Sequence, residues 1–514
     1  MADSFVGTIT YVTDLEGDID LWHRYVEASE VLRRVEDGNI ELLGDDTHFV
    51  YGGDVVDHKP GDLRILEDLV ALKKLYPDRV HLICGNRDVN KLRLAAELSA
   101  AHRDAWPLSK HPGVYWYQAG APAKKLSEEE LAADTPELRL KWILQATMGA
   151  ASAFEARRQE LSIRAGGSSI DDDMVVKSFV EYAQPGGLLF EYLKHSRLAV
   201  ILGCTLFLHA GLPRNADDWI PGWIPAWKAD EPAKQGLPLL EWIEELEALR
   251  EAALQQCEAA TPGAIDIADA WSMQGGYVHE HPGCALIQYS MRDMPGGQRQ
   301  ASVVYNGWLG DDDYLPIQPD DATLKWLCES GVARIVSGHL PHGDSPLIHR
   351  VAMDVTVITA DITYAHEVTW AGDDNTDQTS NKAVCEVLLG PNSREGKIHG
   401  CLDNGTPFEA RLDDDVVGRI TTDGWRVKGR ASGKLLLSRN KKWKFQNRLA
   451  DESEVEFVTL PLPSLFMSRW WHACVKKNKI VTHQGLIHSI LLQVQAEVIE
   501  LSRKLWNCAA AGFC

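Results

Sequence analysis

Five short apolar runs of this chain each stop at a residue able to bind a metal ion. T-I-T-Y-V-T (8–13) gives way to Asp14-Leu15-Glu16-Gly17, and H-F-V-Y-G-G (48–53) to Asp54, with Asp57 three residues on. V-H-L-I-C-G (80–85) is followed by Asn86-Arg87-Asp88, C-T-L-F-L (204–208) by His209, and R-I-V-S-G (334–338) by His339, with His342 three residues later. Ligands of open α/β sheets bind beyond the carboxyl ends of the strands, so these side chains converge if the runs are neighbouring strands. Carboxylate, imidazole and amide oxygen together suit Mn, Fe or Zn better than Ca, which takes all-oxygen cages. Two such ions about 3.5–4 Å apart can hold a hydroxide and clamp a phosphoryl group. One carboxylate must then lie between them. Asp54 is the candidate, because Gly52 and Gly53 let the backbone turn sharply before it.

Taken in order, D-L-E, G-D-V-V-D, G-N-R-D, H and G-H-L-P-H resemble the pattern D-x-H, G-D-x-x-D, G-N-H-[DE], H and G-H-x-H of the calcineurin-like metallophosphoesterase superfamily, over roughly residues 8 to 365. G-D-V-V-D-H and L-H-A-G-L-P are most similar to its Ser/Thr protein phosphatase and diadenosine tetraphosphatase branch. The resemblance implies a layered α/β fold, a β-sandwich flanked by helices. It also implies hydrolysis of phosphomonoesters, on a phosphoprotein or a small phosphorylated metabolite, by a hydroxide held between two divalent ions, with Mn favoured among Mn, Fe, Zn and Mg. Asp14 is then a ligand of the first ion, Asp54 the bridge, and Asn86, His209 and His339 ligands of the second. Dinucleoside-polyphosphate hydrolysis is the alternative within the same chemistry. A catalytically impaired pseudophosphatase acting as a binding module is the alternative outside it.

Two positions depart from that pattern. Glu16 stands where the family has a first-metal histidine, as a ligand of different reach and charge, with His342 or Asp361 (just after the run 355–360) available to compensate. Arg87 stands where the family has a proton-donating histidine; arginine stays charged and cannot serve as an acid, but it grips phosphate through two parallel hydrogen bonds. His58 in turn occupies the place of the phosphatases' arginine in G-D-x-V-D-R-G. The expectation is an exchange of roles, with Arg87 neutralising phosphoryl oxygens, Asp88 orienting it and His58 acting as proton donor; an ordinary exposed loop histidine is the alternative at His58. Arg214, after L-H-A-G-L-P, is a further candidate phosphate contact.

The elements that must position these residues read as β-α-β-α-β over the first hundred positions: strands at 7–12, 47–51 and 80–84, helices at 20–35 and 62–76. Further strand-like runs lie at 198–208, 301–305, 333–336 and 355–360. The runs read as one α/β domain over 1–370, the metallophosphoesterase domain that the resemblance implies, with mostly helical insertions at about 120–190 and 215–295, and a polar linker at 371–382. A small β-rich module follows at 383–460 and a helical segment at 461–514, whose apolar stripe predicts a helix over 483–506. The three tryptophans at 219, 223 and 227 read as packing for the second insertion.

A net charge of −22 argues against a nucleic-acid partner, since phosphate-backbone contacts need clustered Lys and Arg. It leaves a phosphorylated substrate open, because bound cations reverse the local field. The ten cysteines form no C-x-x-C pair, and the first residues lack the basic and apolar regions of a signal peptide, so a cytoplasmic chain with reduced thiols is expected. The longest apolar run, 198–208, is about half of what a bilayer span requires, so no transmembrane segment is expected.

Overall fold

Side-chain alternation along the strands sorts the apolar residues into separate cores. Ile9, Tyr11, Val50 and Ile83 meet Val200, Phe207, Val336 and Ile358 in one buried cluster, with the Tyr11 and Phe207 rings stacked at 5.8 Å. The intervening residues Phe49, Tyr51 and Leu82, and likewise Leu206, Leu208, Ile335 and Val357, belong to a second cluster shared with the helices. Each strand is therefore covered on both faces, as buried parallel strands are. Helices Ile19–Ala28, Asp62–Leu75 and Leu188–His195 cover the outer face of one sheet; Leu239–Ala259 packs on strand Ala199–Leu202 of the other.

The computed structural model describes residues 5–110, 126–215, 218–228, 231–260, 283–291, 301–310, 316–351, 354–363, 368–370, 382–441 and 444–458. Its larger sheet runs, in spatial order, Val368–Trp370, Lys444–Ala450, Lys434–Lys441, Arg426–Ala431, Pro407–Arg411, Gly396–Cys401, Val384–Leu389, Thr8–Val12, Thr47–Tyr51, Val80–Ile83 and Ser196–Arg197. The smaller runs Leu347–Arg350, Thr356–Thr359, Arg334–Ser337, Thr205–Leu208 and Ala199–Leu202. This is the layered, helix-flanked α/β sandwich that the sequence implies. In the larger sheet Thr8–Val12, Thr47–Tyr51 and Val80–Ile83 are parallel, Val12 opposite Tyr51 and Tyr51 opposite Leu82. In the smaller sheet Thr205–Leu208, Arg334–Ser337 and Thr356–Thr359 are parallel, Phe207 opposite Val336 and Ser337 opposite Thr359. Registers this close bring six carboxyl ends to one edge of the sandwich.

Several sequence expectations change here. The helix expected to reach residue 35 stops at Ala28, because the Ser29 hydroxyl accepts the amides of Val31 and Leu32 and donates to Glu386 Oε1, turning the chain into strand Leu32–Arg34. The run 301–305 is a turn rather than a strand: Val303 accepts from the Ala210 amide through its carbonyl, and its own amide donates to the Tyr289 hydroxyl. The β-rich stretch after residue 383 is not a separate module. Val384–Leu389 pairs antiparallel with Thr8–Val12, Ile9 opposite Leu389 and Tyr11 opposite Val387, and the compact unit runs through Val458. The open edge of the Thr8 strand accepts it because Cys385, Val387 and Leu389 alternate into the same inter-sheet core. The linker 371–382, save Lys382, and the segment 461–514 with its helix at 483–506 lie outside the described residues. Among those described, helices Glu128–Ala133, Pro136–Ala146, Ala153–Arg164 and Asp172–Ala183 fill the 126–190 stretch, and no helix is long and apolar enough to cross a membrane.

Phe207 is fully buried between the sheets, so Phe207→Ala is expected to lower unfolding free energy by about 3–5 kcal/mol. Urea denaturation measures it as a lower midpoint at unchanged slope; a loss under about 1 kcal/mol contradicts this core assignment.

Candidate metal centre

Beyond the strand ends the backbone adopts turns that L-residues rarely make. Asp14 (φ 53°), Glu16 (φ 45°), Asp54 (φ 54°), Asp57 (φ 135°) and His339 (φ 70°) all have positive φ; elsewhere among the described non-glycine residues only Asp134, Asp354 and Ser432 do. Such backbone costs about 1–3 kcal/mol per residue and persists only where its surroundings impose it. Main-chain bonds between the loops do so here: Asp14 N to Gly53 O at 2.9 Å, Glu16 N to Asp54 O at 3.1 Å, Gly17 N to Val55 O at 2.7 Å and Gly338 N to His209 O at 2.8 Å. Two glycines make the approach possible. A Cβ on Gly85 would strike the backbone nitrogen and carboxylate of Asp54, and one on Gly338 would strike Asp14 Oδ2.

The side chains so delivered form two groups sharing Asp54. Asp54, His209 and His339 each present a ligand atom within 4.8 Å of the others, and so do Asp14, Glu16 and Asp54. His209 is fully buried, and its Nδ1 lies 2.8 Å from the Gly52 carbonyl, which can only accept; Nδ1 therefore carries the proton. Nε2 is then directed at Asn86 Oδ1 (3.1 Å) and Asp54 Oδ2 (3.4 Å). In the neutral ring that nitrogen is a lone pair facing two oxygen lone pairs, an arrangement that only a proton or a cation among the three atoms makes favourable. Accordingly the imidazole, with Asp54 beside it, is pushed up to about 10 against the opposing effect of burial. The donor set fits a divalent ion, with the second ring nitrogen fixed by a carbonyl as in well-oriented metal-binding histidines. His339 sits alongside, its ring edge-on to His209 at 5.2 Å and to Tyr305 at 4.9 Å, and its amide donates to both Asp14 oxygens, at 3.2 and 3.0 Å.

Negative charge is concentrated in the other group. Burial pushes Asp14 well above the usual carboxylate range, with Asp361 adding to the effect. Glu16 is raised to about 7 chiefly by burial, with Arg87 pulling it back. Asp361 is likewise raised to about 7 by burial and then by Glu16, which puts Asp361, rather than His342, beside the departing ligand position. His342 is not among the described residues whose donor atoms cluster there, and burial, then the nearby charges of Lys428 and Arg426, hold its imidazole well below its ordinary value.

Three further assignments change. Asp88 does not orient Arg87. Its fully buried carboxylate accepts the amides of Asp54 (2.9 Å), Val55 (2.8 Å) and Gly85 (2.9 Å), tying two strand-end loops together. Arg87 Nε instead lies 2.6 Å from Glu16 Oε1 and 3.5 Å from Asp54 Oδ2, and Nη1 is 3.1 Å from Asp57 Oδ2. His58 lies 3.5 Å from Glu16 Oε2 through Nε2 and 3.3 Å from the Ser152 hydroxyl through Nδ1. Burial, then Arg87, holds it near 4, so the ring is neutral at pH 7 and suited to accept a proton rather than donate one. Arg214 donates to the Leu309 carbonyl at 3.2 Å and lies over Trp219, and the three tryptophans pack on the core. Lys91, which sequence reasoning passed over, pairs its fully buried amine with Asp57 Oδ1 at 2.6 Å. Its one signal was the four-residue spacing from Arg87, which sets both on one helix face.

No protein-family model matches the sequence, and neither does any curated protein. Among solved structures the chain is similar to a cold-active protein-tyrosine phosphatase of the psychrophile Shewanella sp., at 13% identity over 79% of this chain and 80% of that one, with a TM-score of 0.35. A second structure of a cold-active protein tyrosine phosphatase gives 14% identity, 79% and 78% coverage and a TM-score of 0.35. A protein serine/threonine phosphatase from Saccharomyces cerevisiae, with similarity to human phosphatase PP5, gives 11%, 75%, 74% and 0.29. Likenesses this remote carry no argument about chemistry, which rests on the geometry of the site.

That geometry sets a pH dependence. Glu16, Asp88 and Asp361 are held near 7 and His209 near 10, all above their ordinary values. Through these groups the metal-free folded chain binds more protons than the unfolded one, and their contribution to stability is present at low pH and lost as pH rises, through about 4–7 for the carboxylates and about 6.5–10 for the histidine. Asp54, held low, has the opposite sign in strong acid, and the rings of His58, His81, His342 and His349, all held below their ordinary value, oppose the trend up to about 6.5. The melting temperature of EDTA-treated protein is therefore expected to fall between about pH 7 and 9, and the upward shift produced by Mn to grow over the same range as the ion displaces those protons. A Mn shift equal at both ends, read by scanning calorimetry, contradicts this.

Proposed function

We propose that the chain is a metal-dependent phosphohydrolase that cleaves phosphomonoesters, on a phosphoprotein or a small phosphorylated metabolite. The observation that carries this reading is the convergence of His209 Nε2, Asn86 Oδ1 and Asp54 Oδ2 around one point, with Nδ1 already committed to Gly52. Asp54, Asn86, His209 and His339 would hold a divalent ion, and Asp14, Glu16 and Asp54, with Asp361 within electrostatic reach, form the second position of the pattern; Mn is favoured for the mixed oxygen and nitrogen set. Such ions supply Lewis-acid polarisation of a phosphoryl oxygen and lower the pKa of a bound water. The residues of the chain do the rest. Asp88 fixes the Asp54 loop, so that the shared carboxylate needs no reorganisation as charge develops. Arg87, on the rim with Glu16 and Asp57, keeps a fixed positive charge that offsets the phosphoryl oxygens. A second reading, a binding module with impaired catalysis, draws support from the same arginine, because the pattern's proton donor is missing there.

With Mn and a chromogenic phosphate monoester, orthophosphate release is expected from the native chain. Asp54→Asn is expected to reduce kcat/KM by more than about a hundredfold, beyond the usual effect of outer-shell changes, at little cost in melting temperature. Turnover untouched by this substitution would remove the site from the reaction. Nucleotide products from a dinucleoside polyphosphate, without monoester cleavage, would move the activity to the alternative substrate.

A further inference from the structure

The two groups of donors are not equivalent. Around His209 Nε2 only acceptor atoms converge. At Glu16 both oxygens already face nitrogen: Oε1 is 2.6 Å from Arg87 Nε and Oε2 is 3.5 Å from His58 Nε2. The arginine is held in that place from several sides. Its amide donates to Asp54 Oδ1 at 2.9 Å, and Nη1 donates to Asp57 Oδ2 at 3.1 Å and to the Met148 carbonyl at 3.4 Å. Asp57 is fully buried and shared between this guanidinium and the Lys91 amine, so withdrawing Arg87 would leave buried carboxylates short of a counter-ion. Nε is also 3.5 Å from Asp54 Oδ2, the oxygen turned towards His209. The guanidinium therefore reaches two of the three carboxylates, Glu16 and Asp54, that the Asp14–Glu16–Asp54 group would offer an ion.

Resting on the metal-dependent reading above, we propose that Arg87 supplies the positive charge of that group itself. The resting centre then takes one divalent ion tightly, at Asp54, Asn86, His209 and His339, and the second position opens only when the guanidinium is removed. A planar guanidinium meets a carboxylate edge with its N–H groups and, unlike an ion, cannot exchange with solvent. The arginine thereby turns a pair of cation positions into one exchangeable and one fixed cation.

Metal-stripped protein dialysed against graded free Mn and assayed by elemental analysis tests this. Native chain and Arg87→Lys, which keeps the charge, are expected to take up one equivalent, with the six-line electron paramagnetic resonance signal of isolated Mn. Arg87→Ala is expected to take up a second equivalent at least about tenfold more tightly than the native chain does, with the exchange-broadened signal of two coupled ions. Should Arg87→Ala fail to fold, Arg87→Gln, which is neutral but keeps more of the side-chain bulk and an N–H donor, carries the same expectation. Two equivalents of like affinity in the native chain would overturn the proposal while leaving the metal-dependent reading intact, as would a single equivalent in both neutral variants. No uptake by any of these proteins would overturn both.

Discussion

The Asp88 carboxylate, buried and accepting amides from Asp54, Val55 and Gly85, makes one rigid object of two loops that leave neighbouring strands. Hydrogen bonds to a charged acceptor contribute about 1.5–3 kcal/mol each, enough together to offset the positive-φ backbone at Asp54. Once Asp54 is fixed, the rest follows by contact. Its carbonyl accepts the Glu16 amide, its Oδ1 accepts the Arg87 amide, and its Oδ2 faces the histidine whose other nitrogen is held by Gly52. Gly85 must be glycine for the same reason: the space its side chain would need is the space Asp54 occupies.

Electrostatics then decides what such a site can bind. Asp14, Glu16, Asp54, Asp57 and Asp361 are all buried, and Arg87, Lys91 and, in the absence of a metal ion, the His209 ring are the cations that face them. Burial favours the protonated form of a carboxyl group, which is the direction seen for Asp14 and Asp361 and, against the pull of Arg87, for Glu16. An anionic phosphoryl group would be repelled by this surface, the more so on a chain of net charge −22. Cations in the cage invert that repulsion. So acidic a site is thus compatible with the proposed phosphorylated substrate only through cations that the acids would hold.

The strands and their acidic ends were legible because alternation, glycine and chain order report directly on the sheet. Where sequence adjacency stood in for geometry, it misled. Arg87 and Asp88 are neighbours, but they open the short helix Asn86–Asn90, which turns about 100° per residue and sends one side chain to the acids and the other to the backbone amides. His342 fits the motif spacing yet is drawn into the sheet interior, whereas Asp361, nineteen positions further along and attached to a different strand, arrives beside Glu16 through the parallel pairing of Arg334–Ser337 with Thr356–Thr359. Contacts set by which strands pair are not written in local spacing. The same holds for the stretch after residue 383, whose strands read as a separate module because their partner lies at the beginning of the chain.

That late stretch belongs to the support of the site. Lys428, on strand Arg426–Ala431, is buried and donates to the carbonyls of His342 (2.6 Å) and Ser345, while Asn447 donates to Asp344 at 2.9 Å and the Asp403 amide to the same carboxylate at 3.3 Å. All of these contacts fall on the turn that begins with His339. Loops of this kind lose their geometry unless something rigid meets them from behind, and here the something is the extension of the larger sheet rather than the strands that bear the ligands. A buried ammonium held by carbonyls tolerates little displacement, so the position of His339 is tied to strands more than eighty residues away in sequence. The C-terminal strands therefore support the candidate metal centre without presenting one of its donor atoms.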